Sequence, residues 1–461
     1  MGSSTTISVN PGCQSHVAMV PFPFGSHPRP LLSLTTALAS LAPSSHFSFL
    51  CTDQFLASLP SPLLANISFV PISDGLTDLT VPTDIVAMIG LFVKSFEKIL
   101  IEGLKAAELA AGCKVSCVMT DAFLSMASNV TGEMGVKWVP VWPGGPQALL
   151  AHLHTDLIRE IVGVGDEALK TYGDKSIDFV PGLSQYHSSD LPEGIIVGDV
   201  QSSFSTMLHQ MAHRLPNSTV IVLNTIQGLD STVDSFFTQK FTNYFPTGPF
   251  HLLNSTGPEP LTDPYDCLSW LDQHGPSTVA YISVGTIVTI PPSELTSLAN
   301  GLATSGAPFI WSLNEKTQSL LPPGFIDKIN QTGKGKIVPW APQISVLGHT
   351  AVGVFVSHCG YNSVMESIAA GVPILCRPFF GDHMTMARAI SHIWKIGIAL
   401  DGMVFTEQGV VRALEVVLKG EEGRKMRDKV RELKDMVNIA VSQEGSSWDN
   451  LKRLVKIVCG C

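Results

Sequence analysis

Apolar residues in this chain fall in short unbroken runs, each followed by a longer stretch of helical period. The run 16–24 (HVAMVPFPF) closes on Gly25-Ser26 and leads into a helical pattern over 30–42, so the chain opens as strand, turn and helix. Further runs at 47–51, 67–71, 115–119, 138–142 and 220–224 alternate with helical patterns, the signature of parallel βα units. A doubly wound domain ending near Phe245 is expected. The next stretch, 246–264 (PTGPFHLLNSTGPEPLTDP), is rich in Pro, Gly, Ser and Thr without periodicity and reads as a linker. A second βα series follows, with strands expected at 278–284, 309–312, 335–339, 352–357 and 372–376. The tail from 424 to 458 is charged and amphipathic and predicts helix.

The expected fold class is therefore α/β, with two Rossmann-like domains facing across a cleft. The first spans 1–246 and would bind an acceptor; 247–266 is the linker; the second spans 267–440 and would bind a nucleotide. Residues 441–461 form a C-terminal helix expected to pack back on the first domain. Open parallel sheets bind ligands at the carboxyl ends of their strands, which places both candidate sites there.

Composition narrows the function. The chain has 461 residues, too many for one hydrophobic core, with 45% apolar and only 15% charged residues. Its net charge of -10 and dispersed basic residues give no field for a phosphate backbone, so nucleic acid is not an expected partner. Nine cysteines at irregular spacing read as reduced, buried thiols. No apolar stretch reaches membrane-spanning length and no basic-then-apolar leader opens the chain; a cytoplasmic protein, monomeric and not integral to a membrane, is expected. The start Met1-Gly2-Ser3-Ser4-Thr5-Thr6 fits the myristoylation pattern formally but reads as a tail.

The segment 340–383 carries the most chemistry. A Trp beside a Pro-fixed loop precedes a strand, and then His-Cys-Gly-Tyr-Asn-Ser opens a helix. A helix N-terminus preceded by Gly, with His, Asn and Ser donors, suits a diphosphate, and a Trp face one loop away suits a nucleobase. Trp in a core and Gly in a turn are commonplace, so these residues alone leave plain packing open.

The same segment resembles the signature box of plant UDP-dependent glycosyltransferases. It matches W-A-P-Q, H-x-x-x-G-x-F-x-x-H-C-G-x-N-S, E-S, G-V-P and P-x-x-x-D in register. The likeness extends to F-P-F-G-S-H-P at 22–28, C-L-S-W-L-D at 267–272 and Y-I-S-V-G-T at 281–286, hence to nearly the whole chain. It implies the two-domain GT-B fold and an inverting transfer without metal or other cofactor, the UDP-sugar serving as co-substrate. It further implies that Trp340 stacks on uracil, that the Ala341 backbone bonds its edge, and that Gln343 and Glu366 hold the ribose. His358, Gly360, Asn362 and Ser363 would bind the diphosphate together with Ser283 and Thr286, while Asp382 and His383 read sugar hydroxyls. Consistent with metal-free transfer, the chain has no D-x-D pair, and no His/Cys/Asp group is expected to have metal-ligand spacing.

Catalysis needs a base for the acceptor hydroxyl. The resemblance assigns His27, in the turn after the first strand, with Asp121 at the end of a later strand to fix its tautomer and stabilise the imidazolium. Three departures from the common glucosyltransferase pattern bear on the donor: His383 for Gln, Pro143 for Thr after Trp142, and Tyr361 for Trp. Pro143 has no hydroxyl for a sugar 6-hydroxyl, and rhamnose, a 6-deoxy sugar, needs none. The discrimination is about 1–3 kcal/mol per uncompensated hydroxyl. UDP-rhamnose ranks first, before UDP-galactose and UDP-glucose.

For the acceptor, His27-Pro28, Pro181-Gly182-Leu183 and Asp190-Leu191-Pro192 resemble the flavonoid 3-O-glycosyltransferase branch, so a flavonol is the expected partner. Phe123 and His152 would line its pocket, although His152 reads equally as a surface helix histidine.

Overall fold

The computed structural model describes residues 14–59, 64–76, 85–253 and 262–460. The Met1-Gly2 start, Cys13, Cys461 and linker positions 254–261 lie outside them. Two compact units emerge: 1–256 with 440–461, and 257–439.

In the first unit, seven parallel strands lie in the order β3-β2-β1-β4-β5-β6-β7. They are β1 (His16–Val20), β2 (His46–Thr52), β3 (Ile67–Ile72), β4 (Cys117–Asp121), β5 (Lys137–Trp142), β6 (Ile221–Leu223) and β7 (Tyr244–Pro246). All five residues of β1 and of β4 are buried, as expected of strands covered on both faces. The strand order reverses between β1 and β4, which makes the gap beyond their carboxyl ends the switch point where open sheets bind ligands.

The helix Pro28–Leu41 follows β1. Two prolines at its start preset the first turn, and Leu31, Leu34 and Leu38 face the core at helical spacing. Its buried Thr35 and Thr36 satisfy their hydroxyls on the carbonyls of Leu31 and Leu32, at 2.7 and 2.9 Å, so they enter the core without unpaired donors. The stretch expected as linker belongs to this core as far as 253: Phe250 and Leu253 are buried among β1, β5 and β6 residues, because two apolar side chains interrupt the Pro- and Gly-rich run.

The second unit repeats the plan with six parallel strands in the order β10-β9-β8-β11-β12-β13. These are β8 (Val279–Ser283), β9 (Phe309–Ser312), β10 (Gly335–Val338), β11 (Val352–Ser357), β12 (Ile374–Cys376) and β13 (Gly397–Ala399). Its switch point lies between β8 and β11. The charged tail is two helices, Glu421–Ala440 and Ser446–Cys459, because Gly445 and the polar residues before it break the helical run.

Six cysteines, 51, 117, 267, 359, 376 and 459, are buried thiols outside any disulfide. Cys113 is disulfide-bonded, which corrects the expectation of reduced thiols throughout. Irregular spacing in sequence does not report which cysteines lie close in space. No helix among the described residues is long and apolar enough to cross a membrane.

Candidate functional site

Both switch points carry polar groups. In the first unit, His27 directly precedes helix Pro28–Leu41 and Asp121 ends β4. His27 Nδ1 lies 2.7 Å from Asp121 Oδ2, and Asp121 Oδ1 accepts the Phe123 backbone N–H at 3.0 Å. The aspartate is fully buried, while the His27 side chain is 23% exposed. A carboxylate on Nδ1 places the proton of the neutral imidazole there and leaves the Nε2 lone pair available as a base.

Aromatic rings surround this pair. Phe123 lies 4.8 Å and Phe22 5.3 Å from His27, and contacts continue from Phe123 to Trp142 at 5.6 Å and to Phe204 at 5.8 Å. Phe24 and Phe92 extend the cluster. Such a surface suits a flat aromatic ligand. Sequence reasoning named Phe123; Phe22 and Phe24 stood in the motif it quoted, whereas Phe204 carries no local signal.

Pro143 is buried in the turn after β5, which the Trp142 indole closes by donating to the Gly145 carbonyl at 2.9 Å. His152 lies on helix Pro146–Leu153, 6.1 Å from Trp142. It is buried, so the surface reading fails, and burial with the nearby Arg159 and His209 pushes its pKa down to about 4.

In the second unit, β8 ends at Ser283 and β11 ends at Ser357, immediately before His358. Cys359 adopts a left-handed conformation (φ 70), a costly one for a residue other than Gly, and this turns the chain sharply into helix Tyr361–Ala370. Gly360 is the N-cap and no side chain caps the helix. A Cβ at Gly360 would meet His358 Nε2 at 2.5 Å, so Gly lets the backbone close against the imidazole. His358 Nδ1 is buried without a hydrogen-bond partner, and burial lowers the ring's pKa to about 4. A neutral imidazole beside a helix start that no side chain caps fits a phosphate group: the N–H groups of the first turn and the helix dipole favour the anion. Thr286 is exposed in the turn after β8.

Gln343 organises the adjoining groups. Its Oε1 accepts from the Tyr281 hydroxyl at 3.2 Å, and its Nε2 donates to Ser363 Oγ at 3.0 Å and to Glu366 Oε2 at 2.6 Å. Burial pushes the Glu366 carboxyl up to about 7 against that hydrogen bond. Trp340, after β10, is 48% exposed, whereas the adjoining Ala341 is buried.

Asp382 precedes helix His383–Arg388. The His383 ring is buried 4.9 Å from that of His358, and its Nδ1 faces the backbone N–H groups of Phe379 and Phe380, each at 3.4 Å. Those donors leave the proton of the neutral ring on Nε2. Beneath this loop the Arg377 guanidinium pairs with the Glu294 carboxylate, its Nε 2.9 Å from Oε2, and lies 3.7 Å over the Phe379 ring. Sequence reasoning missed this pair, whose members stand 83 positions apart.

The structure thus gathers His27, Asp121 and Phe123 at one switch point, with Pro143 and His152 near Trp142. It gathers Ser283, His358, Gly360, Tyr361, Asn362 and Ser363 around the other, with Gln343, Glu366 and His383 adjoining. One expectation needs correcting: His209 and His213 do have metal-ligand spacing, and Asp156 joins them. The third member lies 53 positions from His209, beyond any local motif.

Two doubly wound parallel sheets, each with polar side chains at its switch point, define a GT-B protein of the α/β class. The family model described as UDP-glucoronosyl and UDP-glucosyl transferase matches residues 30–433, and the chain belongs to that family. The chain is 44% identical to myricetin 3-O-rhamnosyltransferase UGT77B2 of Crocosmia x crocosmiiflora, over 97% of this chain and 98% of the relative. It is 42% identical to anthocyanidin 3-O-galactosyltransferase 3GT1 of Rhododendron delavayi, over 96% and 97%. A crystal structure of UDP-glucose: anthocyanidin 3-O-glucosyltransferase in complex with UDP superposes with a TM-score of 0.90 at 36% identity, covering 98% of this chain and all of that one.

Proposed function

We propose that this protein transfers rhamnose from UDP-rhamnose to the 3-hydroxyl of a flavonol, with inversion at the anomeric carbon. The observation that carries the transferase reading is the His27–Asp121 pair at the first switch point, with its free Nε2 and aromatic surroundings. The acceptor lies on the aromatic cluster with a hydroxyl at His27 Nε2. As its oxygen attacks the anomeric carbon, the proton passes to Nε2, and Asp121 stabilises the imidazolium. The bond from the anomeric carbon to the diphosphate breaks, and UDP leaves against the start of helix Tyr361–Ala370, beside His358. Trp340 carries the uracil face, Ala341 its edge, and Gln343 and Glu366 the ribose; Ser283, Thr286, Asn362 and Ser363 complete the diphosphate contacts. Asp382 and His383 read sugar hydroxyls, the latter as an Nε2–H donor. His152 and Phe123 bound the acceptor.

The relatives named above use rhamnose, galactose and glucose on flavonoid 3-hydroxyls, so family membership leaves the donor open. Pro143 supports rhamnose, since a buried pyrrolidine offers nothing to a 6-hydroxyl and leaves nothing unpaired against a 6-methyl. The deciding experiment offers quercetin or myricetin with UDP-rhamnose, UDP-galactose and UDP-glucose side by side and identifies products by mass. A hexose preference removes the rhamnose reading and leaves the transferase; no product from any donor removes the flavonol reading.

A further inference from the structure

His209 and His213 stand one turn apart on helix Ser203–Arg214 with ring centroids 5.0 Å apart, and helix Thr155–Val162 brings Asp156 to both. His209 Nε2 is 2.7 Å from Asp156 Oδ1, and His213 Nε2 is 3.3 Å from Asp156 Oδ2. The two Nε2 atoms are 3.4 Å apart. A tetrahedral ion with bonds of about 2.0–2.1 Å holds its ligand atoms roughly 3.3–3.4 Å from one another, and in the triangle of the two Nε2 atoms and Asp156 Oδ2 the edges from His213, 3.3 and 3.4 Å, already have that length. With hydrogen bonds alone, each imidazole must direct its single Nε2 proton at one shared carboxylate. A divalent ion instead takes both nitrogen lone pairs and a carboxylate oxygen together.

We propose that Asp156, His209 and His213 form a surface site for a divalent transition-metal ion, Zn²⁺ being the best match, with solvent completing the coordination. Two imidazoles and one carboxylate suit Zn²⁺, Ni²⁺ or Cu²⁺ and not Mg²⁺ or Ca²⁺, which take mostly oxygen ligands. The side chains of Asp156 and His213 are 64% and 61% exposed and that of His209 29%, so an ion reaches them from solvent without rearrangement. None of the three belongs to the transfer chemistry assigned above.

The site is a clip between two helices, one of which leads to the aromatic cluster. Helix Ser203–Arg214 carries Phe204 against Phe123 at 5.8 Å, while Arg159 of the other helix donates to the carbonyls of Ile195 and Gly194 at 2.8 and 3.0 Å. Metal binding ties these segments together and stabilises the folded chain by linkage.

The test uses tag-free, chelator-treated full-length protein titrated with Zn²⁺ and with Co²⁺. One equivalent per chain should bind, raise Tm and give the visible d–d bands of four-coordinate Co²⁺. His213→Gln and, separately, His209→Asn should each weaken binding by about 10-fold or more. Wild-type protein without a Co²⁺ band or Tm rise, or variants that bind as wild type does, would overturn the site. A Tm rise equally large with Mg²⁺ would overturn its assignment to transition metals.

Discussion

His27 Nδ1 and Asp121 Oδ2 meet at 2.7 Å although 94 residues separate them, because one ends the loop after β1 and the other ends the neighbouring strand β4. The sheet order alone makes them neighbours. Replacing His27 by Ala should lower kcat/KM about 10²–10⁴-fold while UDP affinity, measured by calorimetry, stays near wild type. Turnover at the wild-type rate would remove His27 from the reaction.

Glu366 sets a pH dependence on donor binding. Its carboxyl is raised to about 7 in the free protein, and only the ionised form accepts two hydrogen bonds from a diol. Binding therefore requires loss of a proton below that value, so affinity should rise with pH through 7 and level off above it. UDP-glucose is a suitable probe because its diphosphate diester does not titrate near neutrality. Glu366→Gln should weaken binding by roughly 10- to 100-fold and flatten the profile. A wild-type profile that is flat between pH 6 and 8 would contradict the assignment to the ribose.

Gly360 is a steric test of the diphosphate site. Its φ of -61 is ordinary for any residue, so Gly360→Ala adds no backbone strain, only a Cβ placed 2.5 Å from His358 Nε2. The imidazole must move. UDP affinity should fall at least about 10-fold, with a stability loss of about 1–3 kcal/mol in denaturant titration. Unchanged UDP affinity would separate His358 from the diphosphate.

Pro143→Thr restores a hydroxyl in the turn after β5. Hexose donors should gain on UDP-rhamnose by about 1–3 kcal/mol, that is, roughly 5- to 150-fold in relative kcat/KM. An unchanged donor ranking would show that this turn does not read the sugar.

Much of this architecture is written locally. Strands such as β9 and β11, unbroken apolar runs bounded by turns, stand where their residues predict. Three-residue β7 and β13 escaped, since Pro246 and Gly397 read as loop. Strand β4 begins two residues later than its apolar pattern and runs on through Thr120 and Asp121, polar residues that hydropathy assigns to a turn. The second-unit site was legible because one contiguous segment holds most of it. The Glu294–Arg377 pair and the Phe204 contact were not, because nothing local encodes which distant helix supplies them.

The chain leaves the first unit, builds the second and then returns. Leu451, Leu454 and Val458 of the last helix are buried with Val17, Leu31 and Leu38, and Ser447 and Asn450 donate to the carbonyls of Gly248 and Pro246 at 2.7 and 2.9 Å. During synthesis the amino-terminal core must therefore wait, its apolar surface uncovered, until helix Ser446–Cys459 emerges from the ribosome. The second unit, residues 257–439, is translated in full before the first receives this helix. A frameshift near the carboxyl terminus would thus injure the part of the molecule that was translated earliest.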